Sequence, residues 1–180
     1  MIGADNKLEF LKKNRSAAII ALVLAVVLCI PLGTLRSVSG IENKVQREFT
    51  EKDKFGETVD GTLGMLKYHI TSFADEYEKA LGKSEHSEML RRGAEAIGSS
   101  AVSDEKLDLS EIKSAASAMH SELDREGAYT AEAKSAFVNM DSDISILKKY
   151  DSYNKAASDY NKIADSFIGK LFGLGFAAEF

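Results

Sequence analysis

Tryptophan is absent from this chain, and proline and cysteine occur once each, at Pro31 and Cys29. A lone cysteine cannot form an intramolecular disulfide, so cysteine usage leaves the compartment open. Basic residues are not in excess: 23 Lys and Arg stand against 28 Asp and Glu, for a net charge of −5. That balance disfavours a surface that tracks phosphates, and no nucleic-acid partner is expected. Catalytic signatures are missing too. The sequence has no HExxH, no GxSxG and no phosphate loop, and His69, His86 and His120 are scattered without ligand spacing. His69 reads as a satisfied flank histidine, and Arg91 and Arg92 as a local basic spot. Asp75 and Glu76 are adjacent, so on a helix they diverge and form no acid–base pair. No catalytic, cofactor-binding or metal residues are assigned.

What is present is plentiful Ala, Ser, Lys, Glu and Asp, with β-branched runs mainly near the N-terminus. This composition favours helix over sheet. One long apolar stretch stands out, AAIIALVLAVVLCIPLGTL, from Ala17 to Leu35, without a charge. A helix needs about 20 such residues to cross the hydrocarbon core. Lys7, Lys12, Lys13 and Arg15 precede the run and Arg36, Lys44 and Arg47 follow it more sparsely, which places the N-terminus in the cytoplasm. The run is read as a signal anchor. A cleaved signal peptide, with SVS before Gly40 as the site, is an alternative, although the run exceeds the usual apolar region of about 7–15 residues. A lipid attached at Cys29 is disfavoured by the bulk of Leu28. Pro31 and Gly33 are expected to loosen the outer end of the helix.

Beyond Arg36 the apolar residues keep helical spacing. Val38, Ile41, Val45 and Phe49 form one stripe, interrupted by EKDKFGET. Phe55, Val59, Leu63, Leu66, Ile70, Phe73, Tyr77 and Leu81 form a second, in the steps of three and four of a bundle seam. One helix from Arg36 to Leu81 is the alternative. Gly82 either ends this helix or lets it continue through Leu90 and Ile97. GSSAVSDEK, from Gly98, is a connector in which Ser103 reads as a cap. A third stripe, Leu109, Ile112, Ala116, Met119 and Leu123, stops at Gly127. Thr130 caps a last helix expected to run from Ala131 to Phe167. The fold class is therefore all-α: a transmembrane helix at 17–35 after a cytoplasmic segment at 1–16, then an antiparallel, up-down four-helix bundle with long helices over 36–180. The tail FIGKLFGLGFAAEF reads as a cap on the end of the bundle, with a membrane- or partner-touching foot as the other reading.

Within the last helix, YNKAASDYN places two Tyr-Asn pairs, Tyr153–Asn154 and Tyr160–Asn161, two helical turns apart. A buried Asn must satisfy its amide and so selects one register of its neighbours, while Tyr adds a large ring with a polar tip. The pairs are expected to lock the last helix to its neighbours; an aromatic–amide groove for a peptide or ligand is the sharper alternative. Tyr153, Asn154, Tyr160, Asn161, Phe167, Gly175, Phe176 and the terminal Phe180 together resemble the end of the LemA family, with Asp143 and Ile146 upstream where that family tends to have an acid and an isoleucine. Ile168 stands where the family usually has proline. The resemblance implies a membrane-anchored helical bundle and no established general activity. The function expected is a scaffold or adaptor in the cytoplasmic membrane that contacts lipid through residues 17–35 and binds a protein partner or itself, without catalysis. A ligand-binding sensor ectodomain signalling through a membrane partner is the alternative.

Overall fold

The computed structural model describes residues 15–54, 56–98, 100–104 and 107–180, and within the first helix the side chains at 15–18, 21 and 25–35 fall outside that description. The expected cytoplasmic segment, save Arg15 and Ser16 as backbone, and Phe55 of the second stripe lie outside the described residues. Helix dominates, as the composition requires. Seven helices are present among the described residues: α1 (Arg15–Thr50), α2 (Val59–Leu81), α3 (Glu85–Ala96), α4 (Leu109–Arg125), α5 (Ala131–Leu147), α6 (Asp151–Ala164) and α7 (Phe167–Phe172). Two short strands, β1 (Val102–Ser103) and β2 (Phe176–Ala177), pair antiparallel, with Val102 opposite Ala177 and Ser103 opposite Phe176. The chain divides into two compact units, residues 1–40 and 41–180.

In the first unit the backbone is α-helical through Pro31 and Gly33. Ile19, Ile20, Leu22, Val23 and Leu24 are all exposed. Among the described residues no helix is long and apolar enough to cross a membrane; most side chains of the run Ala17–Leu35 are not among them.

The second unit corrects the expectation of four long helices. The charged segment EKDKFGET does break the chain, so no single helix runs from Arg36 to Leu81. Asp53 organises the break: its carboxylate accepts from the Glu57 N–H at 3.0 Å and its own N–H donates to the Glu57 carbonyl at 2.7 Å. Thr58 then caps α2 by accepting from the Gly61 N–H at 2.9 Å. Val59, Leu63, Leu66, Ile70, Phe73 and Tyr77 are buried as the stripe predicts, whereas Leu81 is exposed. Gly82 ends α2, and α3 starts afresh from a capping box in which Ser84 and Ser87 each accept from the other's N–H.

Ser103 is not the cap of the next helix. Its backbone pairs with Phe176, and the cap is Asp108, whose carboxylate accepts from the N–H groups of Ser110 and Glu111 at 2.9 and 3.2 Å. Gly127 does stop α4. Its φ is +64°, and the Ala128 N–H reaches back to the Leu123 carbonyl at 2.9 Å in a Schellman closure.

The largest difference is in the last expected helix, which ends at Leu147 and restarts at Asp151. The apolar steps continue through this point, so periodicity does not reveal the break. What makes it is tertiary. The Asn154 side-chain amide donates to the Leu147 carbonyl at 3.2 Å, and the Tyr150 hydroxyl lies 3.2 Å from Thr62 Oγ1 on α2. The N–H groups of Lys149 and Tyr150 turn back to the carbonyls of Ile146 and Leu147.

The core centres on α2, which packs on α5 and α3, while α3 packs on α4. Contacts fix the directions. Thr62, His69 and Phe73 of α2 meet Tyr150, Asp143 and Phe137, so α2 and α5 run antiparallel. On the other side of α2, Lys67 caps the Ile97 carbonyl at 3.0 Å and Arg91 reaches Asp75 and Glu78, making α3 antiparallel to α2 as well. The end of α1 lies along α6, where the rings of Phe49 and Tyr153 are 5.9 Å apart.

Candidate functional site

The two Tyr-Asn pairs sit on α6, a helix whose inner face is Tyr153, Ala156, Ala157, Tyr160, Asn161 and Ala164. Small alanines between the tyrosines leave room for another backbone to approach. The backbone that does so is the C-terminal tail rather than a neighbouring helix. Asn161, only 7 % exposed, donates from Nδ2 to the Ala177 carbonyl and accepts through Oδ1 from the Ala177 N–H, both at 2.9 Å. This double exchange copies the hydrogen-bonded pair of an antiparallel ladder. β2 is thereby closed on both sides, by β1 along one edge and by a side-chain amide along the other. The unpaired edge that a two-residue strand would otherwise present is satisfied.

Asn154 repeats the device one step further along. Its Oδ1 accepts from the Phe180 N–H at 3.1 Å while its Nδ2 holds the Leu147 carbonyl. The spacing explains itself. Seven residues of helix rise about 10.5 Å, and three residues of extended chain cover about 10 Å. Asn161 and Asn154 therefore meet Ala177 and Phe180 as the tail runs antiparallel to α6. The Tyr-Asn repeat is a ruler for an extended segment laid on a helix. The expectation that these amides lock helix to helix is replaced: Asn161 binds only the tail, and Asn154 spans the tail and the end of α5.

The tyrosines supply the floor. Tyr153, 1 % exposed, is held between Phe49 and Phe180, the latter ring stacked at 5.7 Å. Its hydroxyl has no hydrogen-bond partner among the described residues, and burial pushes the phenol far above its ordinary pKa. Burial also raises Tyr160, and the nearby charge of Glu42 adds to that push. Neutral, deeply covered phenols of this kind are packing elements, not acids or nucleophiles at neutral pH.

Gly175 and Phe176 belong to the same arrangement. A Cβ at Gly175 would lie 2.5 Å from the Ser103 carbonyl oxygen, so only glycine lets the tail approach β1. Phe176 is half-buried beside it. Phe167 does not join them. It is 80 % exposed on α7, and the seam that was expected to end on it ends at Ala164.

Elsewhere several polar groups pair with one another inside the second unit. His69 Nδ1 and Asp143 Oδ2 are 2.7 Å apart in the buried α2–α5 contact, which makes His69 a satisfied core histidine. Asp143 is thus the acid of an internal pair, while Ile146 is partly exposed. Arg91 is the centre of a fork to Glu78 and Asp75, and its hydrogen bond holds the Glu78 carboxyl below the usual range. Tyr77 donates to Glu122, and burial followed by this bond raises its phenol. Among the described residues no group of His, Cys, Asp and Glu could hold a metal ion. An open groove of about 760 Å³ lies between the start of α4 and the tail, lined by Ser110, Lys113, Ser117, Ile144, Lys148 and Phe180 among others. Within it the Ser110 hydroxyl donates to the Asp108 carboxylate at 2.6 Å, the same carboxylate that caps α4.

The sequence matches no family model, and no curated protein or solved structure matches it.

Proposed function

We propose that the chain is a membrane-anchored scaffold or adaptor, with its N-terminus in the cytoplasm and residues 41–180 as a helical unit on the other side of the cytoplasmic membrane. One observation carries this reading. On α1, Ile19, Ile20, Leu22, Val23 and Leu24 are 53–66 % exposed, within an uncharged run from Ala17 to Leu35. A contiguous apolar surface of this kind is unfavourable in water, at about 25 cal/mol per Å², and is suited to lipid. The resemblance of Tyr153, Asn154, Tyr160, Asn161, Phe167, Gly175 and Phe176 to the end of the LemA family implies the same membrane-anchored arrangement. A partner protein or a second copy is the ligand proposed for the second unit.

The test is fractionation of the full-length protein. It is expected to remain with membranes after alkaline carbonate extraction, and to be reached by protease only when the outer side is opened. Leu22→Lys with Leu24→Lys, each costing about 2.5–3.5 kcal/mol at the centre of a membrane helix, is expected to release it. Recovery of the unaltered protein in the soluble fraction overturns the anchor. Recovery as a lone monomer in mild detergent, with a melting temperature that rises with a small ligand, replaces the scaffold with the sensor.

A further inference from the structure

The tail read as one apolar segment divides in the structure into two parts of opposite character. Residues 175–180 are strapped to α6 and β1. The preceding helix α7 turns its apolar side outward: Phe167 is 80 % exposed, Leu171 66 % and Phe172 39 %. Phe167 and Leu171 are one turn apart and share a face, with Lys170 beside them. Lys170 makes no ion pair among the described residues. The inner side of the helix is fixed. A Cβ at Gly169 would lie 2.3 Å from the carbonyl oxygens of Ile163 and Ala164, so α7 sits hard against the end of α6 there. The short helix is also closed at both ends, by Ser166 accepting from the Gly169 N–H and by Gly173 in the left-handed region. The exposure is thus built into a capped and packed element.

Its place in the second unit identifies what covers it. Phe49 lies against Tyr153, and Gln46, nearly one turn earlier, accepts from the Ala101 N–H beside the β1–β2 pair that Asn161 holds, so α6 runs antiparallel to the stretch of α1 that enters this unit. The C-terminal end of α6, and α7 with it, therefore lie at the end of the unit where Ile41 comes in. The apolar run Ala17–Leu35 is joined to the unit through that end. We infer that α7, with Phe167 and Leu171 on its outer face and Phe172 at its end, is a lipid-contacting foot that seats the helical unit on the bilayer surface from which its anchor emerges. The inference rests on the anchored reading given above.

A lipid surface fits this face better than a protein. A six-residue helix offers far less than the roughly 800 Å² per partner of a stable protein interface. Two phenylalanines and a leucine beside a lysine have the composition of an interfacial element, in which rings enter the headgroup boundary and the ammonium stays with the phosphates. Since the anchor already holds the chain at the membrane, the foot needs little affinity of its own. Its role is to restrict the tilt of the unit, in the way that a second weak contact acts at high effective concentration.

The experiment uses the full-length chain with Cys29→Ser, reconstituted in vesicles of phosphatidylethanolamine and phosphatidylglycerol. An environment-sensitive fluorophore is placed at Leu171→Cys or, as a control, at Val138→Cys, which is 56 % exposed on α5. The label at position 171 is expected to shift to the blue and to lose most of its emission when brominated lipids are included. The label at position 138 is expected to do neither. Adding Phe167→Asp to the Leu171→Cys chain is expected to abolish the quenching while leaving helix content and vesicle flotation unchanged. Flotation with a water-like, unquenched label at position 171 overturns the foot and leaves the anchor standing. Failure to float overturns the anchor and the foot together. A blue shift that lipid bromination does not quench, with excimer emission between pyrene-labelled copies, assigns the face to a second copy instead.

Discussion

The α2–α5 contact and the α6–tail contact are both antiparallel, and they are held by different means. Between α2 and α5 the seam is side chain against side chain: Phe73 meets Phe137, and Leu66, Ile70, Met140 and Ile144 are buried on the two helices, with the polar pair His69–Asp143 among them. Between α6 and the tail, two side-chain amides grip two backbone positions, and aromatic rings fill beneath them. The first kind of contact derives its stability from buried apolar area and tolerates small shifts. The second is geometric. It depends on the agreement between helical and extended rise and on unsatisfied backbone groups being expensive when buried. The seam therefore governs whether the unit folds, and the clamp governs where its last six residues lie.

That contrast can be broken from either side. The largest effect is expected from Phe73→Ala, which empties a fully buried site beside Phe137. A loss of about 3–5 kcal/mol is typical for this change, and urea denaturation followed by circular dichroism should show it as global destabilisation. Asn161→Leu should act differently. It leaves the Ala177 N–H and carbonyl without their partners, at a cost of about 2 kcal/mol. Hydrogen exchange should report fast exchange at Ala177 with α2 and α5 still protected. If Asn161→Leu exposes the α2–α5 amides equally, the clamp is part of the seam and the distinction fails.

Asn154→Leu is expected to be milder, at about 1 kcal/mol, because its site is half-buried, the released Phe180 N–H can find water and the Leu147 carbonyl keeps the Tyr150 N–H. Its second signature is local: the Leu147 carbonyl keeps only the Tyr150 N–H, and amide shifts should change at Lys148, Lys149 and Tyr150. Tyr153→Phe gives the smallest change at neutral pH, within about 1 kcal/mol and in the stabilising direction, since the hydroxyl removed is buried without a partner. Its effect grows in alkali. Burial raises the phenols of Tyr153 and Tyr160 in the folded state, so the folded chain retains protons that the unfolded chain gives up above about pH 10. Stability is full below that ordinary value and is lost as pH rises through the raised one. Melting curves on the two sides of about pH 10 should show the Tyr153→Phe protein losing less than the parent.

Much of the helix plan could be read from residue order. The stripe from Val59 to Tyr77, the stop at Gly127 and the cap at Thr130 are all written in local spacing, and each is found as expected. One boundary was left open at Gly82 and another was misplaced, because the local signal was absent or misleading. Ser84 and Ser87 form a capping box without the acidic partner that usually marks one, and Ser103 has the look of a cap but is occupied in a strand pair. The break at Leu147 was not legible at all. Apolar steps continue across it, and the side chain that takes its last carbonyl is seven residues further on.

The Tyr-Asn repeat marks the same limit. Its period showed that two amides share one helix face, and it suggested that they fix a register. It could not say whose. Residue order alone determined that the chain is helical, where some of its helices start and stop, and that one long stretch is free of charge, because these depend on neighbours within a turn or two. Only the tertiary structure decided that Asn161 pairs with a backbone sixteen positions away, that Gly175 must be bare, and that Phe167 faces outward. Those outcomes depend on which backbone groups remain unpaired after the helices have packed, a quantity that does not exist until the chain has folded.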